Sequence, residues 1–198
     1  MLKQIIIATG NKHKVEEIKN FYQTNYAEKF DLSIELAPQE LTVVENGKTY
    51  FENAYLKAKA YFDQFKMPTL ADDSGLTIHS LPNILGVESS RFMEGSDYAV
   101  RNQKIIELLK NEEDRTAYFS CVLCLYKGPA EVFFFEGVMH GHIAHVPLGE
   151  QGFGYDPIFV PKELKTGETL AENLNFKNQS SHRVKALQKF FQLAQTGV

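Results

Sequence analysis

Two adjacent carboxylates, Asp72 and Asp73, stand with Ser74 and Gly75 directly after the short apolar run Met67 to Ala71. That run contains a Pro and a β-branched Thr and predicts a buried strand, with the acids at its C-terminal end. In open α/β sheets this is the end where ligands bind. If strand geometry persists to Asp73, the two side chains point to opposite faces and need not share a task. One can anchor the chain while the other holds a hard cation or activates a water. Asp-Ser-Gly is also ordinary turn chemistry, so the pair alone leaves an Asx turn open.

Two further stretches put cations where a helix dipole disfavours them. Thr9-Gly10-Asn11 predicts a turn between a strand over Lys3 to Ala8 and a helix over Lys12 to about Tyr22. The first turn of that helix carries Lys12, His13 and Lys14. A last helix, predicted from about Ser181 to Gln195, opens on His182, Arg183 and Lys185, with Lys177 just upstream. Each cation at a helix N-terminus costs a few tenths of a kcal/mol. An anion held by free backbone N–H groups and by these side chains would account for both clusters. Basic side chains pointing into water are the alternative. Between the clusters lies the Gly-rich loop Gly149 to Pro157, with Phe153, Tyr155 and Asp156. Its glycines allow close backbone approach and its aromatics offer a flat face to a ring. The spacing fits neither a Walker nor a dinucleotide fingerprint.

The elements that must position these residues follow from periodicity. Leu32 to Leu36 predicts a second strand. A helix from Thr49 to about Phe65 is announced by the capping box Thr49-x-x-Glu52 and carries Ala54, Ala58, Tyr61 and Phe65 on one face. The turn Glu45-Asn46-Gly47 just before it is placed to carry a second carboxylate towards the Asp pair. Leu76 to His79 predicts a short strand, and about Asp97 to Leu109 a helix with Asp97 as N-cap. Thr116 to Tyr126 and Glu131 to Met139 predict a long hairpin. Val184, Leu187, Phe191 and Ala194 form the core stripe of the last helix.

Composition narrows the field. A chain of 198 residues, 43% hydrophobic, is one ordinary globular domain or a two-lobed one. No apolar run approaches the ~20 residues that cross a bilayer, and the N-terminal apolar stretch is too short for a signal peptide. A net charge of −4 argues against nucleic-acid binding by bulk electrostatics, though not against a small anion held locally. Cys121 and Cys124 lie in a predicted strand, where a separation of three puts them on opposite faces. They are expected to be reduced fillers of a cytosolic protein and not a redox pair. His140-x-His142, with His145 nearby, lacks the neighbouring acid or cysteine that a zinc site needs, and reads as polar positions on an outward face.

A net-acidic chain thus sets cations at two helix starts, an Asp pair at a strand end and an aromatic Gly-rich loop between them. A polyphosphate carrying a flat base and Mg²⁺ would use all four. Taken together, Thr9-Gly10-Asn11-Lys12-His13-Lys14, Ala71-Asp72-Asp73-Ser74-Gly75-Leu76, Phe153-Gly154-Tyr155-Asp156-Pro157 and Ser181-His182-Arg183 resemble the motifs of the inosine triphosphate pyrophosphatase family. They span nearly the whole chain in the family's order.

The resemblance implies an α/β protein with an elongated mixed β-sheet flanked by helices, a single domain over residues 1–198 whose two lobes enclose a nucleotide. It also implies a homodimer in the cytoplasm, with no nucleic-acid or membrane partner. The implied activity is Mg²⁺-dependent hydrolysis of ITP, dITP and XTP to the monophosphate and pyrophosphate. Carried over by motif, Asp73 is the general base and a metal-associated acid, with Glu45 as the second such acid. Thr9, Gly10, Asn11, Lys12, His13 and Lys14 bind phosphates, and Ser74 touches substrate. Phe153, Gly154, Tyr155, Asp156, Lys177, His182 and Arg183 form the base and phosphate pocket. The chain departs from the family pattern at Leu85-Gly86 (usually Pro-Gly), at Phe176 (usually Glu) and at Ser180 (usually apolar). A related pyrophosphatase of different base preference and a non-catalytic nucleotide sensor remain as alternatives.

Overall fold

The computed structural model describes residues 2–196. Strand β1 (Gln4–Ala8) is followed by α1 (Lys12–Asn25), β2 (Ser33–Leu36) and α2 (Tyr50–Phe65). Then come β3 (Thr69–Ile78), α3 (Tyr98–Leu108), the hairpin of β4 (Thr116–Gly128) and β5 (Glu131–Ile143), β6 (Phe159–Pro161), α4 (Leu174–Ser180) and α5 (His182–Gln195). The strands form one sheet in the order β2-β1-β3-β4-β5-β6. β1 runs parallel to both β2 and β3, whereas β6 is antiparallel to β5, so the sheet is mixed as expected.

One local expectation is corrected. The strand expected to end before the Asp pair instead continues: β3 runs from Thr69 through Asp72, Asp73, Ser74 and Gly75 to Ile78, absorbing the short strand expected at Leu76. Asp-Ser-Gly reads locally as a turn, but β3 has β1 and β4 as neighbours, and sheet pairing overrides local propensity. Its pairing with β1 ends at Ala8 opposite Ala71, so Asp72 follows directly after the end of the parallel ladder. Lys177 sits in the seven-residue α4, capped by the Asn173 side chain, which accepts from the Phe176 N–H at 3.0 Å. Asp97 occupies the N-cap position of α3 without a side-chain capping bond.

The chain divides into two compact units. The first comprises Met1–Asp73, Cys121–Gly137 and Arg183–Val198, the second Ser74–Ser120 and Val138–His182. One core of the first unit gathers Ile5, Ile7, Val15, Ile18, Leu70 and Phe191, where Phe191 stacks on Tyr26 at 4.8 Å. Another gathers Ala8, Ala54, Ala58, Tyr61, Val122 and Tyr126. Cys121 belongs to one of these cores and Cys124 to the other, as alternation along a strand requires, and neither is in a disulfide. The second unit's core gathers Leu76, Ile105, Phe119, Met139, Ile158 and Phe159. Among the described residues, no helix is long and apolar enough to cross a membrane.

Candidate active site

In the first unit, the turn after β1 is built to present α1. The Thr9 hydroxyl accepts from the Asn11 N–H at 3.1 Å, and the Asn11 side-chain oxygen accepts from the N–H groups of His13 (3.0 Å) and Lys14 (3.4 Å). Asn11 therefore already satisfies N–H groups that the sequence left free for an anion. Thr9, Gly10 and Lys12 line a cavity of about 370 Å³, together with Glu16, Glu40 and Tyr61. Lys12 and His13 are both exposed.

The Asp pair divides its labour by face. Asp72 is buried, at 2% exposure, and its carboxylate takes the Lys14 ammonium at 2.5 Å and two nitrogens of the Arg183 guanidinium at 3.1 and 3.3 Å. The Cys121 thiol also lies against it, 3.5 Å away. Burial alone would raise its pKa, but Lys14, Arg183 and Lys57 outweigh that and hold it well below the usual carboxylate range. Asp73 faces the other way and behaves oppositely. Burial pushes its carboxyl up to about 6, against the pull of Lys57 and Lys14, while Asp72 and Glu45 add to the rise. A carboxyl with a pKa near neutrality is suited to exchange a proton at physiological pH. Ser74 follows it on the strand, partly buried, as the first residue of the second unit.

Glu45 is tied to the same cluster. The Asn53 side-chain oxygen accepts from the Gly47 N–H at 2.8 Å, which fixes the turn behind Glu45 to the start of α2. Glu52 closes the expected capping box with Thr49. Glu45 pairs with Lys57 at 2.9 Å, and the Lys57 ammonium also donates to the Asp72 backbone carbonyl at 3.1 Å. Desolvation would lower the Lys57 pKa, yet Glu45, Asp72 and Asp73 together raise it. Sequence reasoning missed Lys57. Its signal was a cation one turn from Ala54 and Tyr61, on the buried stripe of an amphipathic helix.

In the second unit, the Gly-rich loop is locked around Asp156. This carboxylate accepts from the Phe153 N–H at 2.8 Å and from the Lys177 ammonium at 2.7 Å, with both side chains of the ion pair almost fully buried. Lys177 in turn lies 4.2 Å over the Phe153 ring. Gly152 has φ +77°, and a Cβ there would strike the Asp156 carboxylate, so only glycine suits the turn. The Asn102 side chain donates to the Gly154 carbonyl at 3.1 Å, and the Tyr155 hydroxyl donates to the Ser89 carbonyl at 2.6 Å. His182 stacks flat on Phe119 at 4.7 Å and 10°. The loop thus presents an aromatic face and a buried carboxylate, with the Lys177 ammonium of α4 packed against both.

The Ham1 family matches residues 5–193. The chain belongs to the Ham1 family. It is 40% identical to the dITP/XTP pyrophosphatase of Hydrogenobaculum sp. (strain Y04AAS1), covering 95% of this chain and 96% of that one. With the dITP/XTP pyrophosphatase of Aquifex aeolicus (strain VF5) it shares 39% identity, covering 94% of each. Among solved structures, the HAM1 protein of Coxiella burnetii superposes with a TM-score of 0.85 at 34% identity, covering 99% of this chain and 100% of that one. The nucleoside-triphosphatase, dITP/XTP pyrophosphatase of Mycobacterium abscessus gives 0.74 at 30% identity, covering 94% and 98%.

A hard cation fits this Ham1 protein in a limited way. No group of three or more metal-ligating side chains occurs among the described residues. The Lys57 ammonium pairs with Glu45, and the Glu45, Asp72 and Asp73 charges all act on it. One or two carboxylates completed by phosphate oxygens and water suit Mg²⁺.

Proposed function

We propose that this chain hydrolyses non-canonical purine nucleoside triphosphates, ITP, dITP and XTP, to the monophosphate and pyrophosphate. The observation that carries the reading is the Asp pair itself: Asp72 is buried and paired with Lys14 and Arg183, and Asp73 is the adjacent buried residue of β3, where burial raises its pKa. The anchoring acid holds Lys14 in place, and the second is poised to take a proton from water.

In this mechanism the cations of the first unit receive the triphosphate. Lys14 and Lys57, each already held by a carboxylate, exchange part of that pairing for phosphate oxygens. Lys12, exposed at the rim, and the Thr9 to His13 turn add further contacts. Asp73 orients and deprotonates a water for attack on the α-phosphorus, and the lysines absorb charge on the departing pyrophosphate. Glu45 and Asp73 would hold Mg²⁺, which when bound offsets phosphate charge and polarises the anhydride.

The Gly-rich loop reads the base in this account. The Phe153 face takes the purine ring, with Gly154, Tyr155 and His182 shaping its surroundings. Lys177 and backbone N–H groups donate to a 6-keto oxygen, whereas the adenine amino group would meet them donor to donor. Each buried donor left unpaired costs about 1–3 kcal/mol, so one or two such clashes reject adenine by roughly 10- to 10⁴-fold. The reading further takes the enzyme to be a cytoplasmic homodimer, an expectation that the family resemblance supports.

The test is Mg²⁺-dependent pyrophosphate release from ITP, XTP, GTP, ATP and dUTP at matched concentrations. We expect ITP and XTP to exceed ATP by at least about tenfold in kcat/KM. Preference for another base would move the specificity to the region altered at Phe176 and Ser180. Binding without release from any of them would make the protein a sensor.

A further inference from the structure

Arg183 is the most thoroughly engaged cation of the first unit. It is 2% exposed, and three of its nitrogens are committed to carboxylates: Nε and Nη2 to Asp72, and Nη1 to Glu17 at 2.5 Å. The pairs form a chain of alternating charge, Glu17 to Arg183 to Asp72 to Lys14. Both ends of that chain stand on one face of α1, three residues apart. Glu17 is itself only 19% exposed, so it is not a solvated surface partner. One guanidinium is thus shared by two carboxylates, and one carboxylate by two cations.

The sharing has a consequence for Lys14. A guanidinium facing Asp72 alone would draw that carboxylate's full charge, and the fork geometry of arginine would win over the single ammonium. Glu17 takes part of the Arg183 charge and leaves Asp72 able to hold Lys14. We infer that Glu17 is a positioning residue, acting through Arg183 and Asp72 to fix the Lys14 ammonium for the phosphate chain of the substrate. This rests on the proposed reading of Lys14 as a phosphate ligand. The Asp72 and Glu17 charges also keep Arg183 protonated at any working pH: desolvation opposes its charge and the two carboxylates override it.

The test uses the full chain and a probe without a base. Binding of inorganic tripolyphosphate is measured by calorimetry for the wild type, Glu17→Gln, Lys14→Met and the double variant, with steady-state ITP and GTP kinetics alongside. Glu17→Gln should raise the tripolyphosphate Kd by roughly 10-fold, as loss of a hydrogen bond between charged groups does. It should lower kcat/KM for ITP and GTP by the same factor, leaving their ratio unchanged. In the Lys14→Met background the same change should have no further effect, because the residue it acts through is gone. Losses that add in the double variant, a changed ITP to GTP ratio, or a Kd that Glu17→Gln leaves unaltered would each overturn the inference. Failure of the wild type to bind tripolyphosphate would do so too. A wild type that binds but releases no pyrophosphate, with the binding pattern intact, would deny the proposed activity and leave the positioning role standing.

Discussion

Asp73→Asn should lower kcat for pyrophosphate release by about 10²- to 10⁴-fold, the range associated with a positioned general base. The substitution preserves shape and removes both the ability to take a proton and the charge offered to Mg²⁺, at a position where burial has raised the carboxyl pKa to about 6. The side chain is buried on β3, so the amide should leave the fold intact and ITP binding should persist. Stopped-flow or coupled pyrophosphate assays give kcat, and equilibrium binding of ITP to the same variant supplies the control. Unchanged turnover would remove Asp73 from the chemistry.

Asp72→Asn should act on stability first. Two cations, Lys14 and Arg183, meet at this carboxylate, and Arg183 is itself 2% exposed. Removing one partner of a buried ion pair costs about 3–5 kcal/mol, because the remaining charges stay desolvated. For a chain of this size each kcal/mol moves Tm by about 2–4 °C, so a fall of roughly 6–20 °C is expected by thermal denaturation. The sign of the pH dependence follows from the lowered pKa. The wild type holds this contribution above the unfolded-state pKa of about 4 and loses it as pH falls through the native value. The Tm difference between wild type and variant should therefore narrow below about pH 4. A difference that stays constant into acid would place the loss in packing and not in charge.

What the sequence made legible was what depends on local pattern. The capping box of α2 is closed by residues three apart, and the core stripe of α5 repeats on one face, so both could be read directly. The different environments of Asp72 and Asp73 followed from the two-residue period of a strand. The continuation of β3 through Ser74 and Gly75 did not, because those residues favour a turn in isolation and are held extended by neighbouring strands. Lys57 escaped notice for a related reason: its partners Glu45 and Asp72 are 12 and 15 residues away, and only the fold brings them together. Arg183 shows the limit most clearly. A cation at a helix start suggested an outside anion, yet the anions it meets are the protein's own Asp72 and Glu17.

The central claim is that Asp73 directs water to the α-phosphorus. Hydrolysis of ITP in water enriched in ¹⁸O, with both products analysed by mass spectrometry, tests it most directly. The account predicts one labelled oxygen in the inosine monophosphate and none in the pyrophosphate. Label in the pyrophosphate, or release of orthophosphate in its place, would contradict it.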